Sequence, residues 1–440
     1  MHAMSLKDKL LSSHIVFQES LDPDSPIYDV RSEAIKTFEA EGFPTKRDEN
    51  WKYTSLNSLL KKEYSIRTKT ESALDFKDVK QYFIHDIDTY NIVFIDGVFS
   101  SYLSSTTHEG IDVCTMNSAI NKPKYKQIIE VYFNKIAKDE SLNALNTAFA
   151  KEGAYVYIPK GKVADKPIQI VHLSTGAEEA MFLQPRNLII AEENTEVQII
   201  ERHQSLSSNA VFTNSVTEIY AGKHANVDYY KIQNDRLEAS LIDNTEIEQH
   251  DNSVVSVHTF SFGGDIVRNN LNFYQKGEHI DSILKGVTII EGKQHVDHNT
   301  LVHHITPNCE SHQDYKGIFA EKSTGVFNGK VVVEKEAQKT NAYQSNNNIL
   351  IDDQATINSK PQLEIFADDV RCSHGCTIGQ LDESALFYLQ SRGIAKKEAR
   401  ALLMYAFANT VLSSVRLPQL KQRITKQIAK KIGVSIGFEI

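Results

Sequence analysis

Cysteine, tryptophan and long apolar runs are all scarce in this chain, and each scarcity removes a class of protein. Four cysteines among 440 residues cannot build a disulfide framework, and in a reducing compartment they stay thiols. No run approaches the 18 or more apolar residues that would cross a bilayer as a helix. The opening residues, MHAMSLKDKLLSSHIVFQES, lack the uninterrupted apolar stretch and cleavage site of a secretory leader, so a cytoplasmic location is expected. A net charge of -9 is the wrong sign for general affinity to nucleic acid or anionic membrane. The expected partners are therefore proteins or small ligands, with no nucleic acid and no membrane among them. Enzyme signatures are missing too: GxGxxG, GxSxG and HExxH do not occur. The nearest approach to a phosphate loop, Gly325-Val-Phe-Asn-Gly329-Lys330, is one residue short and runs into Val331 where a magnesium-binding Ser or Thr is needed. The chain itself is not expected to hydrolyse ATP.

What remains is an ordinary globular composition, 41% apolar and 24% charged, long enough for two or three domains. Residues 1–150 read as a mainly helical domain. Leu10, Leu11, Ile15 and Phe17 recur at helical spacing, as do Ile128, Ile129, Tyr132, Phe133 and Ile136. Ser141 is expected to cap a helix carrying Leu142, Leu145, Ala148 and Phe149. The single tryptophan, Trp51, reads as a core anchor. From 151 to 366 the pattern becomes short apolar runs broken by Asn, Asp, Gly and Lys, among them AYVYIP, IQIVHL, NLIIA, VDYYKI, VVSVHTF and LEIFA. These are strands. The Asn-Gly and Asp-Gly dipeptides that mark tight hairpins are nearly absent, with Asn328-Gly329 the one good candidate inside the region and Asp96-Gly97 outside it. Strands that stack coil upon coil need no tight hairpins, so a parallel β-helix fits better than a sandwich.

Residues 367–440 return to helix. Asp382 is a good N-cap, Ala385, Leu386 and Leu389 share a face, and Gly393 supplies a stop. A second helix follows, with an apolar stripe through Ala399, Leu402, Leu403, Ala406, Phe407, Thr410, Val411 and Val415 before Pro418. Arg416, Lys421, Arg423, Lys426, Lys430 and Lys431 then form a basic run, either a solvated face or a docking face for an acidic partner.

The concentrated chemistry lies in Arg371-Cys372-Ser373-His374-Gly375-Cys376. In an extended segment the two-residue period places Cys372, His374 and Cys376 on one face, and sulfur beside imidazole suits iron, zinc or copper(I). The spacing departs from the paired C-x2-C of structural zinc sites. A turn with buried thiols and a hydrogen-bonded histidine is the other reading. A second group, His295, His298, His303, His304, Cys309 and His312, is dense in donors but reads mostly as structural.

The run Lys360-Pro-Gln-Leu-Glu-Ile-Phe-Ala-Asp-Asp-Val-Arg-Cys-Ser-His-Gly375, with Thr377-Ile-Gly-Gln-Leu-Asp382 and Leu386-Phe-Tyr-Leu-Gln-Ser-Arg-Gly393 after it, resembles the SufD signature of the SufB/SufD family. Tyr315-Lys-Gly-Ile318, Val326-Phe-Asn-Gly-Lys330, Ala337-Gln-Lys-Thr-Asn-Ala-Tyr-Gln-Ser-Asn346, Gly153-Ala-Tyr-Val-Tyr-Ile-Pro-Lys-Gly161 and Glu49-Asn-Trp-Lys-Tyr53 are similar to the same family. The resemblance implies a mainly β fold, a right-handed parallel β-helix core flanked by N-terminal and C-terminal helical domains. It implies a non-catalytic scaffold for iron-sulfur cluster assembly, in a complex with a SufB-like paralogue and a SufC-like ABC ATPase docked on the C-terminal helices. By motif position His374, with Cys372 beside it, would face a cysteine of the paralogue and share a transient iron-sulfur cluster. Cys376 stands where the family often has Ala or another small or polar residue; it either adds a third metal ligand beside Cys372 and His374 or merely fills space. A SufB paralogue, a β-helix carbohydrate enzyme such as a polysaccharide lyase, and a purely structural interaction protein are the alternatives. Pairing of solenoid edges could also make the isolated chain a homodimer.

Overall fold

The strand runs of the middle region do stack rather than fold back. The computed structural model describes residues 4–66, 74–84, 86–105, 110–137, 140–175, 179–206 and 208–433. Two sheets of parallel strands face each other as a β-solenoid of about eight turns. One sheet runs from Tyr90–Ile95 through Ile168–Ser174, Glu196–Ser205, Asn226–Gln233, Val254–Ser261, Asp281–Ile290, Glu310–Phe319 and Asn341–Leu350 to Arg371–Gly379. The other runs from Ala154–Ile158 through Arg186–Ala191, Val211–Ala221, Ala239–Gln249, Ile266–Gln275, His295–His304 and Thr324–Val333 to Thr356–Ile365. Several of these strands are rich in Asn, His and Asp and carry no apolar run, because a solenoid interior accepts polar side chains that bond one another from coil to coil.

The corner that carries the chain from the second sheet back to the first is a backbone repeat hidden from side-chain pattern. Asn194, His224, Asn252, His279, Asn308 and Lys339 occupy it once per coil, all with φ between 57° and 62°. Asn and His tolerate that left-handed region better than most residues. The N–H groups of Asn194, His224 and Asn252 donate to the carbonyls of Lys223, Asp251 and Glu278 in the next coil at 2.8–2.9 Å. The corners therefore stack through main-chain groups, and no sequence motif is required.

Both sheet faces that point outward are covered by helices. Leu6, Leu10 and Phe38 of the N-terminal helices Leu6–Glu19 and Tyr28–Glu41, with Trp51, pack with Phe182, Phe212, Ile242 and Ile266 of the solenoid. Trp51 is the expected anchor: the Arg268 guanidinium lies 3.9 Å from its ring centroid. That arginine also donates to Asp297 at 2.6 Å and to the Asn50 carbonyl at 2.8 Å. Ser141 differs from expectation. Glu140 takes the N-cap position of Ser141–Ala148, and the Ser141 hydroxyl instead donates to the Gly42 carbonyl, tying the helix to the end of Tyr28–Glu41.

At the other end Asp382 accepts from the N–H groups of Ser384 and Ala385 at 2.8 and 3.2 Å, and Gly393 takes φ +87° after the helix Glu383–Ser391. Helices Lys396–Leu412 and Pro418–Ile432 lay Ala408, Val411, Leu412, Leu420, Ile424 and Ile428 onto Tyr230, Phe260, Val287 and Ile318 of the first sheet. The buried face of the first of these helices is rotated from the expected stripe, leaving Ala406 and Thr410 exposed. The basic run is no uniform surface either. Arg416 lies 3.5 Å from Asp228, while Arg423 and Lys431 are half-buried against the solenoid.

Asn328-Gly329 makes no hairpin. It lies within Thr324–Val333, where Asn328 donates to Asn299 of the neighbouring coil at 3.0 Å. A Cβ on Gly329 would come within 2.3 Å of the Gln344 side chain, so this glycine serves close packing across the interior. Gly325 to Lys330 is likewise straight strand, unlike a phosphate-cradling loop.

The Arg268–Asp297 pair, 2% and 1% exposed, leads to a prediction. Arg268→Met strands the Asp297 carboxylate and should cost about 3–5 kcal/mol, whereas Arg268→Met with Asp297→Leu should cost much less. Melting curves of the two variants check it, and equal losses would rule the pair out as the joint between helices and solenoid.

Candidate functional site

A stack of coils has two ends, and here they differ. At the first, Asp96-Gly97 turns the chain with φ of 51° and 77° so that Val98–Phe99 pairs antiparallel with Tyr90–Ile95. Asp112–Thr115 closes the other sheet in the same way against Ala154–Ile158. At the far end Thr356–Ile365 and Arg371–Gly379 each pair on one side only. Their outer edges carry unpaired main-chain donors and acceptors, the arrangement that invites another strand.

Cys372, His374 and Cys376 all lie on that last strand. Pairing register places them on the inner face, as the two-residue period requires. His374 continues the row of Val257, Leu284, Gln313 and Gln344. Cys372 continues Ser282, Ser311 and Ala342, and Cys376 continues Gly286, Tyr315 and Asn346. Every residue named in those rows before the last coil is buried, but His374 and Cys376 are exposed because nothing stacks on them. Cys372 is half-buried, packed with Leu363 and Val331, and burial pushes its thiol up. It therefore stays protonated at neutral pH until a metal displaces the proton. Cys376 donates to the Ser359 hydroxyl at 3.2 Å across the end of the solenoid.

The three side chains share a face without closing on one point. Residues two apart on a strand stand roughly 6.6 Å apart along it, and four apart roughly 13 Å. Their ligand atoms do not gather within reach of a single ion. A metal or cluster held here needs ligands from outside this chain.

The dense histidine group disperses. His295 meets Thr54 at 2.8 Å, His298 meets Thr288 at 2.8 Å, and His303 pairs with Glu334 at 2.7 Å. His304 bonds Ser311 at 2.9 Å, the Cys309 thiol donates to the Gly277 carbonyl at 3.2 Å, and His312 faces Glu310 at 3.3 Å. Each has its own partner, which is the structural role expected. All four cysteines are free, and burial pushes the Cys114 thiol up to about 11 and raises that of Cys309.

Sequence pattern did not single out the apolar residues left bare near the open end. Phe366 and Ile378 are 61% and 50% exposed, and Phe387 and Tyr388 on the adjoining helix are 72% and 56% exposed. Neighbouring apolar groups at this exposure mark a surface that binds something. The available signal was Phe387-Tyr388 lying off the face formed by Ala385, Leu386 and Leu389.

Residues 172–407 match the family model described as SUF system FeS cluster assembly, SufBD core domain, and residues 14–170 match the SufBD protein N-terminal region. An iron-sulfur cluster assembly SufBD family protein of Synechocystis is 32% identical over 92% of this chain and 91% of its own length. The iron-sulfur cluster assembly protein SufD of Escherichia coli is 28% identical over 89% of this chain and 90% of its own. SufD of Bacillus subtilis is 28% identical over 70% of this chain and 71% of its own. With its solenoid core and its N-terminal region both matched, this chain belongs to the SufBD family of iron-sulfur cluster assembly proteins.

Proposed function

We propose that this chain is a SufD-type scaffold subunit whose open solenoid end joins a SufB-like paralogue and completes a site for a nascent iron-sulfur cluster. The observation that carries this reading is the incomplete ligand set: Cys372, His374 and Cys376 stand on the inner face of an unpaired terminal strand. A paralogue with its own bare terminal strand would extend both sheets and bring further ligands opposite these three. The cluster is cargo. Neutral imidazole from His374 holds iron yet exchanges more readily than a thiolate, which suits a scaffold that must release its product. Free thiols, and described helices none of which is long and apolar enough to cross a membrane, accord with work in the cytoplasm. The same edge explains how the isolated chain could pair with a second copy of itself.

In this reading chemical energy comes from a separate SufC-like ABC ATPase, and the scaffold is not itself an enzyme. The docking surface follows from what the C-terminal helices have left. Their main apolar stripe is already spent on the solenoid, so the ATPase takes the exposed Phe387 and Tyr388 of Glu383–Ser391. Removing everything after Gly379 would bare Tyr230, Phe260 and Ile318 of the solenoid.

Two outcomes are expected. His374→Ala should leave stability within about 0.5 kcal/mol, as befits an exposed side chain, and should preserve complex formation while cluster yield falls sharply. A melting curve paired with anaerobic cluster assembly measures both; full assembly by the variant overturns the role of His374. Phe387→Ala with Tyr388→Ala should weaken ATPase capture by about 30-fold or more, the loss typical of an aromatic hot spot, and leave the paralogue bound. Co-purification decides, and undiminished ATPase binding would rule out this surface.

A further inference from the structure

Across the open end of the solenoid one hydroxyl ties the two terminal strands together. Ser359 lies on Thr356–Ile365, in register with the core residue Phe327 of the strand before it, and so stands on the inner face of the second sheet. Its oxygen accepts from the Cys376 thiol at 3.2 Å. Its own proton goes to Asn346 Oδ1 at 2.8 Å. Asn346 belongs to Asn341–Leu350, lies in register beneath Cys376 and is 3% exposed. A second donor, Asn348 Nδ2, reaches the same Oδ1 at 2.7 Å.

The two cysteines of Arg371–Gly379 therefore differ in their surroundings. Cys372 is half-buried against Leu363 and Val331, the setting of a thiol that behaves as a small apolar side chain. Cys376 is exposed and meets a hydroxyl instead. An exposed side chain fills no interior volume, so packing gives no account of why a sulfur stands here with a partner supplied from the facing sheet.

The relay can also reverse without disturbing the interior. When a thiophilic ion binds a cysteine, a metal–sulfur bond forms, the thiol proton leaves to solvent and nothing is oxidised. The serine oxygen then has no thiol proton to accept. A hydroxyl rotates to suit its partners, so the Ser359 proton can swing from Asn346 to the sulfur 3.2 Å away. Asn346 Oδ1 keeps its bond from Asn348, and no buried polar atom is stranded. Outer hydrogen bonds of this kind orient a metal ligand and hold it on the ion.

We propose that Ser359 is a positioning residue for Cys376: it holds the sulfur at the open end while the thiol is free, and donates to that sulfur once a thiophilic metal is bound. Cys376 is then a third ligand and not a filler, given the reading of the open end as a cluster site. Of the two sulfurs on the terminal strand, it is the one whose surroundings are prepared for a metal.

The test uses the full chain carrying Cys372→Ala, in which Cys376 is the exposed thiol. Titrated anaerobically with cadmium(II), it should show the ultraviolet band of cadmium–thiolate bonding, and Cys376→Ala should abolish that band. Ser359→Ala should weaken binding by about 10-fold, as loss of an outer hydrogen bond does, and Ser359→Thr, which keeps the hydroxyl, should bind as the parent does. Should Ser359→Ala fail to fold, Ser359→Thr against Ser359→Val gives the same comparison, since the two are alike in shape and differ in the hydroxyl. Absence of the band in the parent, a band that survives Cys376→Ala, or an affinity indifferent to the hydroxyl would each overturn the role of Ser359, whatever the assembled complex does. Full cluster assembly by a Cys376→Ala complex with the paralogue, while cadmium binding still follows Ser359, would instead remove the cluster from Cys376 and leave Ser359 as the residue that positions its sulfur.

Discussion

Everything in this molecule depends on parallel, in-register stacking of one coil on the next. The ladder is made of main-chain hydrogen bonds, so it is indifferent to side-chain chemistry and will carry whatever the inner rows contain. It also has to stop. At the first end, short antiparallel strands after Asp96-Gly97 and at Asp112–Thr115 close both sheets. At the last end nothing does, and the side chains that continue three inner rows are Cys372, His374 and Cys376. Exposure of His374 and Cys376 is thus a consequence of where the stack ends: the same positions one coil earlier, Gln344 and Asn346, are buried.

Ladder bonds alone would leave two apolar sheet faces in water, and the flanking helices remove them. N-terminal helices seat Leu6, Leu10, Phe38 and Trp51 on one face. Their seating is directed by charge as well as by area, since Arg268 reaches Trp51, Asn50 and Asp297 at once. C-terminal helices cover the other face through Val411, Leu420 and Ile424. Much of the helical apolar surface is consumed within the chain, and Phe387 and Tyr388 of Glu383–Ser391 are among the apolar side chains left bare.

The interior is unusually polar for a core, with Glu201, Lys231, Asp243, Asn187 and Thr245 between the sheets. Such groups are tolerated because neighbouring coils present partners at fixed spacing, so Lys231 finds Asp243 and Asn270 finds Asn244. A stack that positions polar side chains this regularly can also set His172 and His203 beside the Glu201 carboxylate without any local motif.

Local sequence determined a good deal. Strand segments and the common face of Cys372, His374 and Cys376 follow from the two-residue period the backbone itself imposes, and the Asp382 cap and Gly393 stop from the chemistry of those two residue types. The long signature around Cys372 and His374 identified the family, and the shortage of hairpin dipeptides indicated stacking. Tertiary structure decided the rest. Asn328-Gly329 lies mid-strand because Thr324–Val333 pairs in register with a strand on either side, and its glycine leaves room for the Gln344 side chain. Ser141 lost its cap to a bond with Gly42. The helical stripe at 399–415 rotated to meet the curvature of a sheet that no local pattern describes. Which residues stand beside His172, and that His374 ends its row, depend on register between positions a whole coil apart. That register is held by main-chain hydrogen bonds and left-handed corners, where Asn, His and Lys all occur, so it leaves no single chemical repeat for the sequence to display.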